Sequence, residues 1–154
     1  MSSNERQRDA YLQAIAAVSE GDASALDDLL AHDMVDHNPM PGQPAGRDGF
    51  KVWMAAARSS FPDFSCTVEA VLTERDLVAG HVIWRGTQRG AFLGLPPTNR
   101  AVSVKAFHIV RISSGLIVEW WGTADLLGAV QQLGGQIIPP PESEQLSRPV
   151  DWFS

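Results

Sequence analysis

Apolar side chains recur at helical spacing through the first sixty residues of the chain. Tyr11, Ile15 and Val18 are separated by four and three positions and are followed by Gly21, so the pattern predicts an amphipathic helix over residues 5–20. The stretch ASALDDLLA predicts a second, short helix. A third helix is predicted over residues 47–60, with these apolar positions turned inward: Phe50, Trp53, Met54 and Ala57.

From residue 65 onward the apolar positions alternate, which is typical of strands. Four such segments follow one another, SCTVEAVLTE, LVAGHVIWRGTQ, AVSVKAFHIVRI and LIVEWWGT, and turn sequences separate them. Helices followed by an antiparallel meander predict an α+β fold in which helices cover one face of a curved sheet. A last helix is predicted over DLLGAVQQLGG. We expect one domain over residues 1–135 and a Pro-rich tail over residues 136–154 that is mobile or lies on a partner subunit.

The loop SSG indicates how the last two strands pair. A three-residue hairpin ending in glycine would place Ile112 opposite Leu116 and His108 opposite Trp120. Side chains alternate across a strand, so one face would then carry Val104, Ala106, His108, Val110, Leu116, Val118, Trp120 and Gly122. The opposite face would carry Lys105, Phe107, Ile109, Arg111, Ile117, Glu119 and Trp121, a mixture that suits a subunit interface.

His108 would be the one titratable side chain on the apolar face of this hairpin. One interpretation is a core histidine whose ring is satisfied by a backbone carbonyl or a water molecule. The other is a small-molecule pocket, because Gly80, Ala106 and Gly122 leave space beside the ring. Trp53, Met54 and Trp120 could line that space.

Composition narrows the classes of function. The 154-residue chain carries 12 Lys and Arg against 18 Asp and Glu, a net charge of −6, which disfavours nucleic acid and anionic membranes as partners. Cys66 is the only cysteine, so neither an internal disulfide nor a Cys-rich metal site is possible. The N-terminal sequence lacks the apolar segment of a signal peptide, and we expect a cytoplasmic protein.

Four segments, in this order and spacing, closely resemble the SnoaL-like polyketide cyclase family: VDHNPMPGQPAGRDGF, FPDF, RGAFLGLPPTNRAV and ISSGLIVEWWGTADLLGAVQQLG. The resemblance covers about residues 5–135. It implies a cone of curved antiparallel sheet and helices around a deep pocket, in the manner of nuclear-transport-factor-two-like folds. It also implies a homodimer formed through the outer face of the sheet.

The same resemblance implies aldol-type ring closure without a cofactor or a metal. His37, in the DHN segment, and His108 would be the acid/base residues, with neutral imidazoles able to accept or donate a proton near pH 7. The alternative for His37 is a loop histidine that hydrogen bonds to the backbone. The expected substrate-binding residues are Met40, Phe50, Trp53, Met54, Trp84, Gln88 and Trp120.

The sequence departs from the family pattern at Gly122, which we align with a position where these cyclases usually carry an aspartate. Gln88 likewise replaces a frequent histidine. Asp125, three residues after Gly122, could supply the missing carboxylate and is a third candidate catalytic residue. It could equally begin the last helix, where a carboxylate accepts hydrogen bonds from free amides.

The sequence therefore predicts a cyclase or isomerase that acts on a hydrophobic polyketide-like or terpenoid-like intermediate in natural-product biosynthesis. Two alternatives stay open. An epoxide hydrolase resembling limonene epoxide hydrolase would need an Asp-Arg-Asp arrangement in the pocket, whereas Arg85 and Arg111 are expected to face outward. A non-catalytic small-molecule-binding module would explain the absent carboxylate.

Overall fold

Four helices and five strands make up the part of the chain that the computed structural model describes, residues 1–139 and 141. In chain order they are α1 (Ser3–Glu20), α2 (Leu26–Leu29), β1 (Leu30–Asp36), α3 (Gly46–Ser60), β2 (Ser65–Glu74), β3 (Leu77–Thr87), β4 (Ala101–Ser113), β5 (Leu116–Ala124) and α4 (Leu126–Gln132). The predicted α+β class is confirmed. Most of the predicted tail over residues 136–154, namely residues 140 and 142–154, lies outside the described residues. No helix within residues 1–139 and 141 has the length and apolar character needed to cross a membrane.

Local sequence fixes both ends of α1. Ser2 and Glu5 form a reciprocal capping box at the N-terminus, in which each side chain accepts a hydrogen bond from the other's backbone N–H. Gly21 ends the helix in the left-handed conformation, with φ of 71°. The helix buries Tyr11 and Ile15 against the sheet, on the face that their spacing predicts.

The sheet has the strand order β1-β5-β4-β3-β2 and is mixed. Strands β2 to β5 form the predicted antiparallel meander. Strand β1 differs, because it pairs in parallel with β5, from Leu30 beside Ile117 to Asp36 beside Trp120. Strand β1 is therefore an edge strand beside β5. Because its last residue, Asp36, pairs with Trp120, β5 extends beyond the C-terminal end of β1.

The β4–β5 hairpin has a tighter turn than predicted. Ser114 and Gly115 form a two-residue turn with φ of 51° and 79°, so Ser113 pairs with Leu116. A bulge at Val118 then shifts the register by one more residue.

Beyond the bulge, Val110 pairs with Trp120 and His108 pairs with Gly122. The predicted partners were therefore wrong by two residues. An even shift preserves the faces, so His108 and Trp120 share the predicted inner face. Between turn and bulge the assignment fails: Ile117 is fully buried, whereas Leu116 and Val118 are half-buried.

The core lies between α1, α3 and the inner face of the sheet, which we define by Val78, Val82, Val104, Val110 and Trp120. Gly80 is required in the middle of this face. A Cβ atom there would stand 1.9 Å from the Tyr11 hydroxyl oxygen, so only glycine lets α1 approach β3 this closely.

Gln88 is a structural residue that holds the loop between β3 and β4. Its side chain is fully buried, and its Oε1 accepts hydrogen bonds from the Thr98 backbone N at 3.1 Å and the Thr98 Oγ1 at 2.7 Å. Its Nε2 donates to the Leu95 carbonyl at 3.2 Å. The expected contact of Gln88 with substrate is therefore not supported by its position, because its polar atoms are used within the loop.

Replacing Gln88 with Met should destabilise the fold by about 1–3 kcal/mol, because half-buried polar groups of Leu95 and Thr98 lose their hydrogen-bond partner. Urea unfolding measures this change. Gln13→Met, on the exposed side of α1, is the matched control and should leave the free energy of unfolding within about 0.5 kcal/mol of wild type. Equal stability of both variants would contradict the structural role.

Candidate functional site

A cavity of 350 Å³ lies between the inner face of the sheet and the helices. Its wall is mostly apolar and aromatic, as is usual for small-molecule sites of this size. Five of the seven predicted substrate-binding side chains lie on it: Met40, Phe50, Trp53, Trp84 and Trp120. Met54, on α3, is instead buried in the core with 4% exposure, and Gln88 lies in the loop already described.

His108 lies on the cavity wall at the centre of the sheet, between Gly80 on β3 and Gly122 on β5. Its Nδ1 is 3.0 Å from the Tyr11 hydroxyl oxygen. The ring also contacts Trp120, with ring centroids 4.9 Å apart. The space beside Gly80 is filled by Tyr11, whereas Gly122 has no side chain beside the Cδ2 edge of the imidazole and lies with it on the cavity wall.

The Tyr11 contact assigns the tautomer of His108. Tyr11 is fully buried, and its hydroxyl has no other hydrogen-bond partner within residues 1–139. Because a buried hydroxyl has to donate its proton, we assign Nδ1 as the acceptor, and the ring proton then sits on Nε2. Among the described residues Nε2 has no hydrogen-bond partner, so its N–H is a donor available to a molecule in the cavity.

Burial keeps both members of this pair uncharged. Desolvation lowers the pKa of His108 to about 4 and raises the pKa of Tyr11 well above its ordinary value. A neutral imidazole that presents N–H can polarise a carbonyl oxygen, but at pH 7 it has no second free nitrogen to act as a base. The pair is therefore suited to stabilise developing negative charge.

His37 does not face the cavity, and the predicted meeting of His37 and His108 in one pocket is wrong. The His37 ring stacks on Trp121 with centroids 4.4 Å apart, and its Nε2 is 3.1 Å from Glu119 Oε1. Trp121 and Glu119 belong to the outer face of the sheet, where Arg111 also pairs with Glu119 at 2.6 Å. Arg111 first, and His37 second, hold the pKa of Glu119 below its ordinary value.

Asp36 lies on the cavity wall, where His37 was predicted. Its carboxylate reaches the cavity wall, where Oδ1 accepts from the Asn38 backbone N at 3.0 Å and Oδ2 accepts from Gln43 Nε2 at 2.9 Å. Asp36 was not among the site residues predicted from the sequence. The missed signal is Met34, which is 1% exposed and shares the face of Asp36 two positions later.

The segment over residues 37–45, which contains three prolines, forms the rim of the cavity and holds the Asp36 carboxylate. Met40 to Gln43 make a turn with Pro41 second, Gly42 third at φ of 80°, and a hydrogen bond from the Gln43 N to the Met40 carbonyl at 3.0 Å. Asn38 Oδ1 accepts from the Gly122 backbone N at 3.1 Å and thereby ties the rim to β5 beyond the end of β1.

Asp125 caps α4, as one of the two interpretations held. Its Oδ1 accepts from the Gly128 backbone N at 2.8 Å, and its side chain does not reach the cavity wall. The catalytic expectation for Asp125 is therefore not supported by its position. Gly122 does adjoin the site: a Cβ atom there would lie 3.1 Å from Trp120 Nε1 and 3.2 Å from His108 Cδ2.

A second depression, of 610 Å³, lies on the outer face of the sheet. Its wall includes His81, Phe107, Ile109 and Trp121, and the His81 and Phe107 rings stack with centroids 4.5 Å apart. Although this depression is larger, the inner cavity contains the carboxylate of Asp36 and the free Nε2–H of His108. The inner cavity is accordingly the candidate active site.

His108 should make the fold less stable in acid. The unfolded histidine binds a proton near pH 6.5 while the folded one does so near pH 4, so its contribution is complete above pH 6.5 and is lost between these values as pH falls. The loss approaches about 3 kcal/mol. Urea unfolding at pH 7 and pH 4.5 should show a smaller drop in stability for His108→Gln than for wild type, and an equal drop would contradict a buried neutral ring.

Comparison with known proteins agrees with this geometry. The family model for SnoaL-like polyketide cyclase matches residues 8–133. Nogalonic acid methyl ester cyclase of Streptomyces nogalater is 26% identical over 132 residues, which are 84% of this chain and 96% of that protein.

Among solved structures, TsrD from Streptomyces laurentii superposes with a TM-score of 0.80 at 29% identity, covering 88% of this chain and all of that one. IdmH from Streptomyces antibioticus, a proposed polyketide cyclase, gives a TM-score of 0.75 at 32% identity over 83% of this chain and 98% of its own. The chain belongs to the SnoaL-like polyketide cyclase family.

Proposed function

We propose that this protein is a cofactor-independent cyclase or isomerase that closes a ring in a hydrophobic polyketide-like substrate. The observation that carries the proposal is the position of His108 on the wall of an aromatic cavity of 350 Å³, with its Nδ1 bonded to Tyr11, which leaves Nε2–H as the available donor. A polyketide carbonyl placed against that donor would be activated toward ring closure. The cavity volume falls within the range of small-molecule sites.

His108 would act as the electrophile of this reaction. As ring closure begins, negative charge grows on a carbonyl oxygen, and a fixed N–H in a dry site stabilises that charge more than water does. Tyr11 would keep the ring in this tautomer throughout, because its hydroxyl proton is committed to Nδ1. The role differs from the acid/base function expected for His108, in that the imidazole donates a hydrogen bond instead of removing a proton.

Shape would supply a second contribution. Trp53, Trp84 and Trp120 form flat walls on several sides of the cavity, which favour a folded substrate chain over an extended one. Holding two reacting carbons in contact can remove about 7–11 kcal/mol of the barrier.

The epoxide hydrolase alternative has little support in this geometry. It needs an arginine between two carboxylates, and no arginine reaches the cavity wall in the described part of the chain. Arg85 bonds to Thr67 Oγ1 at 2.8 Å, and Arg111 bonds to Asp76 and Glu119 on the outer face.

Turnover of nogalonic acid methyl ester, the compound named for the relative from Streptomyces nogalater, tests the proposal. We expect a product of unchanged mass and altered chromatographic retention. His108→Phe should lower kcat about 100-fold, as the loss of one donor to a developing oxyanion typically does. His37→Gln and His32→Gln are matched controls outside the cavity and should retain the wild-type rate.

Two results would contradict this proposal. If His108→Phe reacts as fast as wild type, His108 is not the electrophile. If the ester quenches the fluorescence of the cavity tryptophans but is recovered unchanged, the protein is a binding module, which was the second alternative.

We further propose that the outer face of the sheet joins two copies of the chain. Leu72 on β2 is 74% exposed there, and Phe107 and Ile109 on β4 are 54% and 45% exposed. Ala79 on β3 lies between Leu72 and Ile109 in the same row of the sheet. A patch of this kind on a free surface is unusual unless a partner covers it.

Sedimentation should give twice the 16.7 kDa chain mass, and Phe107→Asp should give the single-chain mass, because a charge in the contact opposes burial. Val52→Asp adds the same charge at a 51% exposed position of α3 and should leave the mass unchanged. A monomeric wild type would refute the proposal.

A further inference from the structure

The cavity contains an electrophile but also needs a group that removes a proton, and its wall offers few titratable side chains. In the described part of the chain these are Asp36, Cys66 and His108. Burial raises the pKa of the Cys66 thiol to about 12, so it stays protonated at neutral pH. His108 is already committed as a donor. Asp36 is the remaining group that can accept a proton.

We propose that Asp36 is the catalytic base of this site and that Gln43 is the residue that positions it. The inference rests on the proposed function, because it takes the inner cavity as the place of reaction. The carboxylate that the family pattern places at position 122 of β5 would here be supplied by the neighbouring strand β1, where Asp36 pairs with Trp120. Both the carboxylate and the His108 ring then border the same enclosed space.

An Asx turn accounts for only one of the two hydrogen bonds of the Asp36 carboxylate. The bond from the Asn38 backbone N to Oδ1 forms an Asx turn, which is a common way to start a loop. Such a turn leaves Oδ2 unused. Here Oδ2 is held at 2.9 Å by Gln43 Nε2.

Gln43 is itself fixed on its other side. Its Oε1 accepts from the Met40 backbone N at 3.1 Å, so the amide cannot rotate without losing that bond. The Pro41-Gly42 turn sets the direction from which Gln43 reaches Asp36. The rim thus holds the Asp36 carboxylate at the cavity wall by one hydrogen bond to each oxygen, from Asn38 and from Gln43. Each oxygen retains a lone pair that can accept a substrate proton.

The proposed step balances without any further reactant. A C–H bond beside a carbonyl breaks, its proton goes to the Asp36 carboxylate, and its electron pair moves onto the carbonyl oxygen, which accepts a hydrogen bond from His108 Nε2–H. The enolate carbon then forms a C–C bond to a second carbonyl carbon. The oxygen of that carbonyl takes the proton back from Asp36, so the product is an isomer of the substrate.

Proton exchange tests Asp36 independently of ring closure. The probe is 2-tetralone, a small aromatic ketone, and deuterium uptake from D₂O at the carbon beside its carbonyl is followed by NMR. We expect wild-type protein to accelerate uptake above the buffer rate. Asp36→Asn, which keeps the Asx-turn acceptor, should lower the protein-dependent rate at least about 100-fold, the lower range of general base catalysis.

Asp33→Asn is the matched control, since it removes the same charge from an exposed position on the same strand. It should leave the exchange rate unchanged. Circular dichroism melting checks that each variant is folded.

Gln43→Met tests the positioning role and remains informative if Asp36→Asn fails to fold. A carboxylate that loses a hydrogen-bond donor holds its proton more tightly, so the acid limb of the pH–rate profile should move to higher pH. A merely structural glutamine would lower the rate without moving that limb, and an unmoved limb would refute the positioning role.

The outcomes separate the two proposals. Exchange that depends on Asp36 without ring closure of nogalonic acid methyl ester would leave the base assignment intact and refute the proposed function. Ring closure that survives in Asp36→Asn would refute the assignment of Asp36 as the base and leave the proposed function intact. Wild-type protein that fails to accelerate exchange would overturn the assignment of Asp36.

Discussion

A buried hydrogen bond from Tyr11 to His108 connects the first helix to the centre of the sheet, and the site depends on it. The bond needs α1 to lie directly on β3, which Gly80 permits by having no side chain. It also needs a ring that stays neutral, which burial ensures by lowering the pKa of His108 to about 4. One contact thus fixes the helix position, the tautomer of the imidazole and the direction of its free N–H.

The elements that could be predicted from the sequence were those with a periodic pattern of apolar residues. Period-two alternation placed His108 and Trp120 on the inner face even though the pairing register was wrong, because turn and bulge together shift it by an even number. Helix α1 was equally predictable, since its apolar spacing and Gly21 agree with each other. The parallel pairing of β1 with β5 has no local signature, because it joins segments about eighty residues apart.

Which residues line the site depends on β1, whose pairing could not be predicted from the sequence. A single strand at the sheet edge offers either face to the cavity, and only its pairing and the burial of Met34 decide in favour of Asp36 over His37. The two residues are adjacent, so an error of one position exchanged a carboxylate for an imidazole. The Pro-rich segment after β1 forms part of the pocket rim, where it orients Gln43 and Asp36 and not His37.

The extra residue in β5 has an effect beyond the hairpin. Arg111 would face Glu119 and Ile112 would face Ile117 even in a strand that lacked Val118, so the bulge is not needed to match these partners. Bulges bend a strand and increase its twist. Together with the similar extra residue Glu69 in β2, Val118 therefore governs how far the sheet wraps around its contents. Variation in the number of such insertions offers a chain of this architecture a way to change the size of its cavity without changing a single wall residue.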